Sequence, residues 1–277
     1  MIAYYGIQDG ISVSLYLELT LLIFFISIFS SSRAVYASQT VGMIIPLYAD
    51  PGNEWKKVIH AKNTHKSVPI LVIINPNNGP SACPSHDYMK EITNLKSAGI
   101  IILGYVSTNY TARNNGEVIT DIDNWKRYYP DTDGIFFDEM ANIPGKENYY
   151  VNLTSYAKSL GFAITVGNPG INTLSSYVGT VDNLVIYEDI GFPSLSSLGG
   201  WCTSHNKNNF SIISYGVNDI NDSTIRNLSH HVGYLFITNG TLPNPFTSLP
   251  PYFGQIVKEL AKYNYEKNKH EESMTPN

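Results

Sequence analysis

A short apolar run, a polar turn and an amphipathic stretch recur as one unit from residue 41 onward. The apolar runs have the β-branched and aromatic bias of strands. Strands that alternate with helices form a parallel sheet. The predicted strands are 43–48, 69–75, 100–106, 134–138, 163–166, 184–187, 210–215 and 234–237. The predicted helices are 54–62, 88–98, 121–129, 148–160, 172–178, 222–230 and 251–263.

Eight strands at this spacing predict a single (β/α)8 barrel over residues 41–263. An open, doubly wound sheet is the structural alternative. Such sheets usually have fewer strands and a glycine-rich phosphate loop, and no GxGxxG or P-loop motif follows any predicted strand. Residues 264–277 are polar and are predicted to form a frayed tail.

Residues 1–37 differ in character from the rest of the chain. The apolar run at 19–29 is too short to span a bilayer comfortably, but it matches the apolar region of a signal peptide. Val35-Tyr36-Ala37 resembles a cleavage site, whereas the usual basic residues before the apolar region are missing. The segment is therefore predicted to be a signal peptide, or a membrane anchor if it is retained. Either case implies a secreted or cell-surface protein.

The amino-acid composition limits the kinds of partner that the protein can bind. The net charge is −5, and no basic stripe is present, which argues against nucleic-acid binding. An apolar content of 43% excludes global disorder. We expect a monomer. Cys83 and Cys202 could form a disulfide in an oxidising compartment or remain free.

Two predicted strands end in adjacent acids. Asp138 and Glu139 close the fourth strand, and Glu188 and Asp189 follow the sixth. The carboxyl ends of barrel strands meet at one mouth, where the active sites of such barrels lie. These acids are therefore candidates for function, although caps of helix N-termini or ligands of a structural cation are alternative roles.

The remaining strand ends contribute aromatic and amide groups. The candidate substrate-binding residues are Tyr48, Asp50, Asn75, Tyr105, Asn168, Asp189 and Tyr215. The histidines are scattered and no HExxH motif occurs, so neither a metal nor another cofactor is predicted. A serine hydrolase is disfavoured because no GxSxG motif occurs.

Two carboxylates across a cleft are what glycoside hydrolysis requires. The fourth and sixth strands lie two steps apart, so their backbones are separated by roughly 9–10 Å. Inward side chains would close this gap toward the roughly 5–5.5 Å of a retaining pair, although the wider inverting pair stays possible. We assign Asp138 as the nucleophile and Glu188 as the general acid/base. Glu139 would orient the substrate or tune the pKa of a neighbouring acid through its like charge. Because adjacent strand residues point to opposite sides, Glu139 needs a local twist to reach the mouth, and the roles of Asp138 and Glu139 could be exchanged.

Several motifs in one order resemble the spherulin-4-like family, which includes glycoside hydrolase family 135. They are IPLY at 45–48, INPNNGP at 74–80, LGYVSTNY at 103–110, DID at 121–123, YP at 129–130, DGIFFDE at 133–139, GNPG at 167–170 and VIYE at 185–188. The chain departs from the family after Gly79-Pro80, where Ser81 stands in place of a usual glycine.

The resemblance implies a (β/α)8 barrel that hydrolyses a galactosamine-containing polysaccharide internally. It also implies that Asp138, Glu139 and Glu188 are the functional acids. The rival interpretation is a non-catalytic carbohydrate-binding or cell-surface coat protein on the same scaffold. A barrel lyase or aldolase is disfavoured because no predicted strand ends in a lysine.

Overall fold

Each of the eight predicted apolar runs forms a strand in the computed structural model, which describes residues 40–274. The strands are β1 (Gly42–Pro46), β2 (Ile70–Ile74), β3 (Ile101–Ser107), β4 (Gly134–Asp138), β5 (Ile164–Gly167), β6 (Asn183–Ile190), β7 (Phe210–Tyr215) and β8 (Tyr234–Ile237). All neighbours pair in parallel, and β1 also pairs with β8, which closes the barrel. The predicted (β/α)8 fold is confirmed.

Six α-helices surround the barrel in the described residues. They are α1 (Asn53–Thr64), α2 (His86–Ser97), α3 (Asn115–Tyr128), α4 (Glu147–Ser159), α5 (Asp222–Ser229) and α6 (Phe253–Met274). Their buried residues recur at helical spacing, as Trp55, Val58 and Ala61 do in α1. The helices therefore cover the outer face of the strands with one apolar side each.

The strands are apolar on both faces because both faces are buried. All five residues of β2 are buried. Alternate side chains fill the barrel interior, and the others pack under the helices. Inside the barrel, the rings of Tyr105 and Phe136 lie 6.2 Å apart. A sheet buried on both sides leaves the loops at the strand ends as the place where polar chemistry can sit.

The third helix begins earlier than predicted. It starts at Asn115 instead of residue 121, because Asn114 and Glu117 form a reciprocal capping box. The Asn114 side chain accepts a hydrogen bond from the Glu117 backbone N–H at 3.1 Å, and the Glu117 carboxylate accepts from the Asn114 N–H at 2.9 Å.

Two connections lack an α-helix. The helix predicted at 172–178 is only a 3₁₀ turn, Ser175–Tyr177. The connection from β6 to β7 likewise contains two 3₁₀ segments, Gly200–Ser204 and Lys207–Asn209. Strand β6 itself extends past the predicted end at 187 to Ile190, so Glu188 and Asp189 belong to the strand.

The last helix is longer than predicted. It continues from the expected end at residue 263 to Met274, through most of the segment predicted as a frayed tail. Asn264 is buried, and its side chain accepts from the Val41 N–H at 2.8 Å and donates to the Val41 C=O at 2.9 Å. The first residue of the predicted tail thus joins the last helix to the start of β1.

The predicted signal peptide or anchor at 1–37 lies outside the described residues. Within residues 40–274, no helix combines the length and apolarity needed to cross a bilayer. Cys83 is exposed and Cys202 is buried, and both are free thiols rather than a disulfide. Ser81, in the loop after β2, adopts a left-handed φ of 68°, the conformation that favours glycine.

Candidate active site

Asp138 and Glu139 lie at the C-terminal end of β4, where neighbouring strands hold their backbone on both sides. On the β3 side, the Asp138 C=O accepts from the Thr108 N–H at 2.9 Å, and the Glu139 C=O accepts from the Tyr110 N–H at 2.7 Å. The Thr108 hydroxyl lies 3.0 and 2.9 Å from the same two carbonyl oxygens. The backbone of the acidic pair is thereby anchored to β3.

The β5 side provides the second anchor. The Asn168 N–H donates to the Phe137 C=O at 2.8 Å, and the Met140 N–H donates to the Asn168 C=O at 2.8 Å. These two bonds flank the acidic pair along the chain. A backbone fixed from two neighbouring strands places the carboxylates with little freedom to move.

Glu139 has the twist that its position requires. Its φ is 51°, in the left-handed region that non-glycine residues seldom adopt. The Ser107 hydroxyl, at the end of β3, donates a short hydrogen bond to the Glu139 carboxylate. Strained backbone of this kind clusters at functional sites, where the surrounding structure holds it.

A β-bulge in β6 determines on which face of the sheet the Glu188 side chain lies. Val185 pairs with Ser211 of β7, but Tyr187 pairs with the next residue, Ile212, so Ile186 is an extra residue in the strand. Side chains alternate along a strand, and paired residues share a face. The extra residue therefore puts Glu188 on the same face as Val185, three positions earlier.

That face is the interior of the barrel. Asn183, on the same face of β6 as Val185, pairs with Val166 of β5, which in turn pairs with Phe136 of β4. Asp138 lies two residues after Phe136 and shares its face. The pairing thus carries Asp138 and Glu188 to one side of the sheet, and without the bulge Glu188 would face outward.

Asn168 connects the two carboxylates directly. Its side-chain nitrogen donates to Oδ1 of Asp138 at 2.8 Å and to Oε2 of Glu188 at 2.5 Å. Because both oxygens are bound to one nitrogen, they are separated by at most about 5.3 Å. An upper limit of this size favours the close carboxylate pair of a retaining glycosidase, roughly 5–5.5 Å, over the wider inverting pair.

The surroundings of Asp138 and Glu188 affect the protonation of the two acids differently. Burial, and then the negative charge of Asp138, raise the pKa of Glu188 to about 7, while the Asn168 bond opposes this rise. Burial also raises the pKa of Asp138, but hydrogen bonds from the Tyr105 hydroxyl, the Glu139 N–H and Asn168 favour its charged form. Near neutral pH, the arrangement therefore suits a protonated Glu188 beside an ionised Asp138.

Aromatic rings form the wall of the site. The ring of Tyr48 lies 6.0 Å from Tyr105 and 5.6 Å from Phe246, edge-on in both cases. An open pocket of about 370 Å³ is lined by Tyr48, Glu188, Tyr215 and the loop residues 242–246. The loop after β8, which the sequence analysis did not select, therefore contributes part of the wall.

Tyr110 is a second residue that the sequence analysis missed, although it belongs to the motif at 103–110. Asn109, Tyr110 and Thr111 have consecutive left-handed φ angles of 44°, 51° and 72°. The Tyr110 side chain is 58% exposed. Its N–H donates to the Glu139 C=O at 2.7 Å, so the residue lies next to the acidic pair, and desolvation together with the negative charges of the three carboxylates raises the pKa of its hydroxyl. An exposed aromatic ring held there by a strained turn is a candidate for contact with a ligand.

Asp50 and Asn75, two of the predicted substrate-binding residues, have partners in the surrounding protein. Asp50 is exposed and accepts from the Tyr88 hydroxyl at 3.1 Å. The Asn75 side-chain oxygen accepts from the Gly79 N–H at 2.9 Å, which closes its own loop. Neither bond involves the three clustered acids.

Asp189 is exposed, whereas Glu188 is turned into the site. The Asp189 carboxylate accepts hydrogen bonds from the Tyr215 hydroxyl at 3.3 Å and from the Ile190 N–H at 2.7 Å. The structure thus brings Tyr48, Tyr105, Asn168 and Tyr215 to the acids, whereas the hydrogen bonds of Asp50, Asn75 and Asp189 go to residues other than the three acids. Among residues 40–274, no group of three or more His, Cys, Asp or Glu side chains is arranged to hold a metal ion.

The sequence and the fold match known proteins. Residues 42–260 match the model of spherulation-specific family 4. Spherulin-4 of Physarum polycephalum is 34% identical over 242 residues, which cover 82% of this chain and 72% of that protein. The family model therefore covers nearly the whole barrel.

Among solved structures, Sph3 of Aspergillus clavatus, crystallised in complex with GalNAc, superposes with a TM-score of 0.71 at 25% identity. The match covers 80% of this chain and 98% of Sph3. A tryptophan synthase chain from M. tuberculosis has a TM-score of 0.51 at 9% identity, over 86% of this chain and 96% of that chain, which is a likeness of fold alone. The family match and the identity to Spherulin-4 show that this chain belongs to spherulation-specific family 4.

Proposed function

We propose that this protein is a secreted or cell-surface glycoside hydrolase that cuts a galactosamine-containing polysaccharide internally. The observation that carries the proposal is the bridge from one Asn168 amide to both Asp138 and Glu188, which limits the oxygen separation to about 5.3 Å. That spacing suits a retaining mechanism with a covalent intermediate. The sugar class is supported by the GalNAc complex of Sph3, the structural relative described above.

The first half of the reaction forms a glycosyl-enzyme. The Asp138 carboxylate attacks the anomeric carbon, while Glu188 transfers its proton to the glycosidic oxygen and the leaving chain departs with a new hydroxyl. In the second half, the Glu188 carboxylate removes a proton from water. The resulting attack on the anomeric carbon releases the sugar and restores both acids. A pKa of about 7 for Glu188 suits both roles near neutral pH.

Other residues at the mouth would hold the polymer. Tyr48, Tyr105 and Tyr215 would line the sugar sites nearest the acids, and Glu139, fixed by Ser107, would orient a hydroxyl or amine of the substrate. Asp50, Asn75 and Asp189 would contact sugars farther along the chain. The mechanism uses carboxylates alone, so we expect activity to persist in a chelator.

The second candidate function is carbohydrate binding without catalysis. The crowding of Asp138 and Glu188 speaks against it, because two half-buried carboxylates held by one amide repel each other, and a sugar site does not need such a pair. A hydrolase does need it, since burial keeps the general acid protonated.

The test is incubation of the intact protein with a panel of galactosamine and glucosamine polymers at several degrees of deacetylation. Mass spectrometry of the products should show oligosaccharides of mixed length from a galactosamine polymer, as internal cleavage requires. Polymer that binds the protein but yields no oligosaccharide would support the binding function instead.

A further inference from the structure

We propose that Asn168 is a positioning residue that sets the spacing of the catalytic carboxylates, and not a substrate-binding residue as its place at a strand end suggested. The geometry stands by itself, whereas its catalytic meaning rests on the proposed function. Asn168 lies at the end of β5, between β4 with Asp138 and β6 with Glu188.

The first argument is that the amide has no free donor. An asparagine side chain has two N–H donors and one carbonyl oxygen. The nitrogen donates to both Asp138 and Glu188, and the oxygen accepts from the Gly170 N–H at 3.0 Å. The residue is only 5% exposed. A sugar hydroxyl that needs a donor would have to break one of the bonds to the carboxylates.

The second argument is that only one orientation of the amide satisfies its surroundings. A flipped amide would place its oxygen against the ionised Asp138 carboxylate and its N–H groups against the Gly170 N–H. Both contacts would be repulsive. The backbone on either side is fixed as well, by the bonds to Phe137 and Met140. The amide is therefore a rigid spacer between the acids.

The third argument concerns the protons. Two carboxyl groups in direct hydrogen-bond contact share one proton. The carboxamide of Asn168 cannot exchange a proton with either acid near neutral pH. Asp138 and Glu188 can therefore lie close together on either side of it without sharing a proton. Its N–H bonds also favour the charged form of each acid. Asn168 thus limits how far burial and mutual repulsion raise the affinity of Glu188 for its proton.

The kinetic test uses Asn168→Ala and Asn168→Asp, with Asn172→Ala as a control at an exposed amide in the same loop. In Asn168→Ala, kcat should fall by about 10–10²-fold, because reacting groups displaced by an ångström lose that much. KM should change by less than about threefold, since the sugar contacts remain. The alkaline limb of the pH profile should move to higher pH, because Glu188 loses a bond that favours its anion.

The isosteric Asn168→Asp keeps the oxygen that receives the Gly170 N–H, so it separates a loss of the N–H donors from a collapse of the turn. It places a third carboxylate between the other two, and the alkaline limb should move still farther upward with little remaining turnover. A raised KM in Asn168→Ala, with kcat and the alkaline limb unchanged, would make Asn168 a substrate-binding residue and overturn the proposal.

A second readout needs no substrate. Carbon-13 NMR of the Asp and Glu carboxyl groups, assigned with Asp138→Asn and Glu188→Gln, reports both titrations in the resting protein. We expect the Glu188 titration to shift to higher pH in Asn168→Ala and to stay in place in Asn172→Ala. An unchanged Glu188 titration in Asn168→Ala would refute the spacer. If the wild-type protein cleaves no polymer of the panel, the proposed function fails, and the NMR titration alone decides the role of Asn168.

Discussion

Glu188 shares the inner face of the barrel with Asp138 because Ile186 is an extra residue in β6. The bulge shifts the pairing between Val185 and Tyr187, and the shift turns every later side chain of the strand to the other face. In a regular strand, Tyr187 would face the barrel interior and Glu188 the surrounding layer. The carboxylate pair thus depends on one backbone irregularity in β6, and a second irregularity, the left-handed Glu139, directly follows β4.

The first prediction concerns stability, and it holds whether or not a substrate is known. The folded protein keeps the Glu188 proton up to a pKa of about 7, whereas the unfolded chain releases it near 4.5. Between these values the folded state binds more protons, so the wild type should lose stability as the pH rises. Glu188→Gln lacks this loss and should be the more stable protein above pH 7, by up to roughly 3 kcal/mol.

Urea unfolding of both proteins over a pH series checks this. The two stabilities should converge at acid pH, below the unfolded value, where Glu188 is protonated in both states. Asp87→Asn is the matched control, since Asp87 is an exposed acid on α2 and its replacement should not alter the pH dependence. If the stabilities of wild type and Glu188→Gln run parallel at every pH, then folding does not raise the pKa of Glu188.

The pH dependence of activity gives the second prediction. Glu188 must carry a proton to act as the acid, so kcat/KM should fall as the pH rises through about 7. Protonation of Asp138 should produce the acidic limb, and its position should lie above the usual range of an aspartate, because burial raises the pKa. Rates measured across the full range should be bell-shaped in the wild type. An alkaline limb that persists in Glu188→Gln would mean that another group supplies the proton.

Tyr110 gives the third prediction. Its left-handed backbone costs roughly 1–2 kcal/mol, which glycine would avoid. Tyr110→Gly should therefore leave the free energy of unfolding unchanged or higher. The greater conformational entropy of glycine in the unfolded chain offsets part of this stabilisation. KM should rise about fivefold, as expected for the loss of roughly 1 kcal/mol of ring contact. Tyr110→Phe keeps the ring and should match the wild type in KM. Equal KM values for all three proteins would remove Tyr110 from the binding surface.

Asn264 gives the fourth prediction. Its side chain satisfies both backbone groups of Val41 in a buried position, so Asn264→Ala leaves a buried donor and acceptor unpaired. The cost should be about 2–4 kcal/mol of unfolding free energy. Asn268→Ala, at an exposed position on the same helix, should cost under about 0.5 kcal/mol. Thermal and urea denaturation measure both. Similar small losses in the two variants would mean that the helix end contributes little to the barrel.

The fold was accessible from the sequence because its determinants are local. Eight apolar runs with turn residues between them predict eight strands, and strand ends predict where Asp138 and Glu188 lie along the barrel axis. The facing of these side chains was not accessible in the same way. For Glu188 it depends on the bulge at Ile186, which arises from the pairing of β6 with β7.

The roles of Asn168 and Asn264 show the same limit. Both are polar residues that a local reading assigns to the surface, one to a substrate site and one to a frayed tail. Each is buried by partners distant in sequence, Asp138 and Glu188 for Asn168 and Val41 for Asn264. Burial of a polar side chain becomes visible only when the tertiary partners that satisfy it are known.

The most direct test of the account is the cleavage rate of Asp138→Asn and Glu188→Gln on the polymer that the wild type degrades, with Asp87→Asn as the charge-matched control. Each of the two variants should lose at least about 10²–10⁴-fold in rate by mass spectrometry of the products, yet remain folded and bind the polymer, while the control keeps the wild-type rate. The removed charge or proton is the one that the reaction needs, and the side-chain size is preserved. Wild-type rates in either variant would contradict the assignment of Asp138 and Glu188 as the catalytic pair.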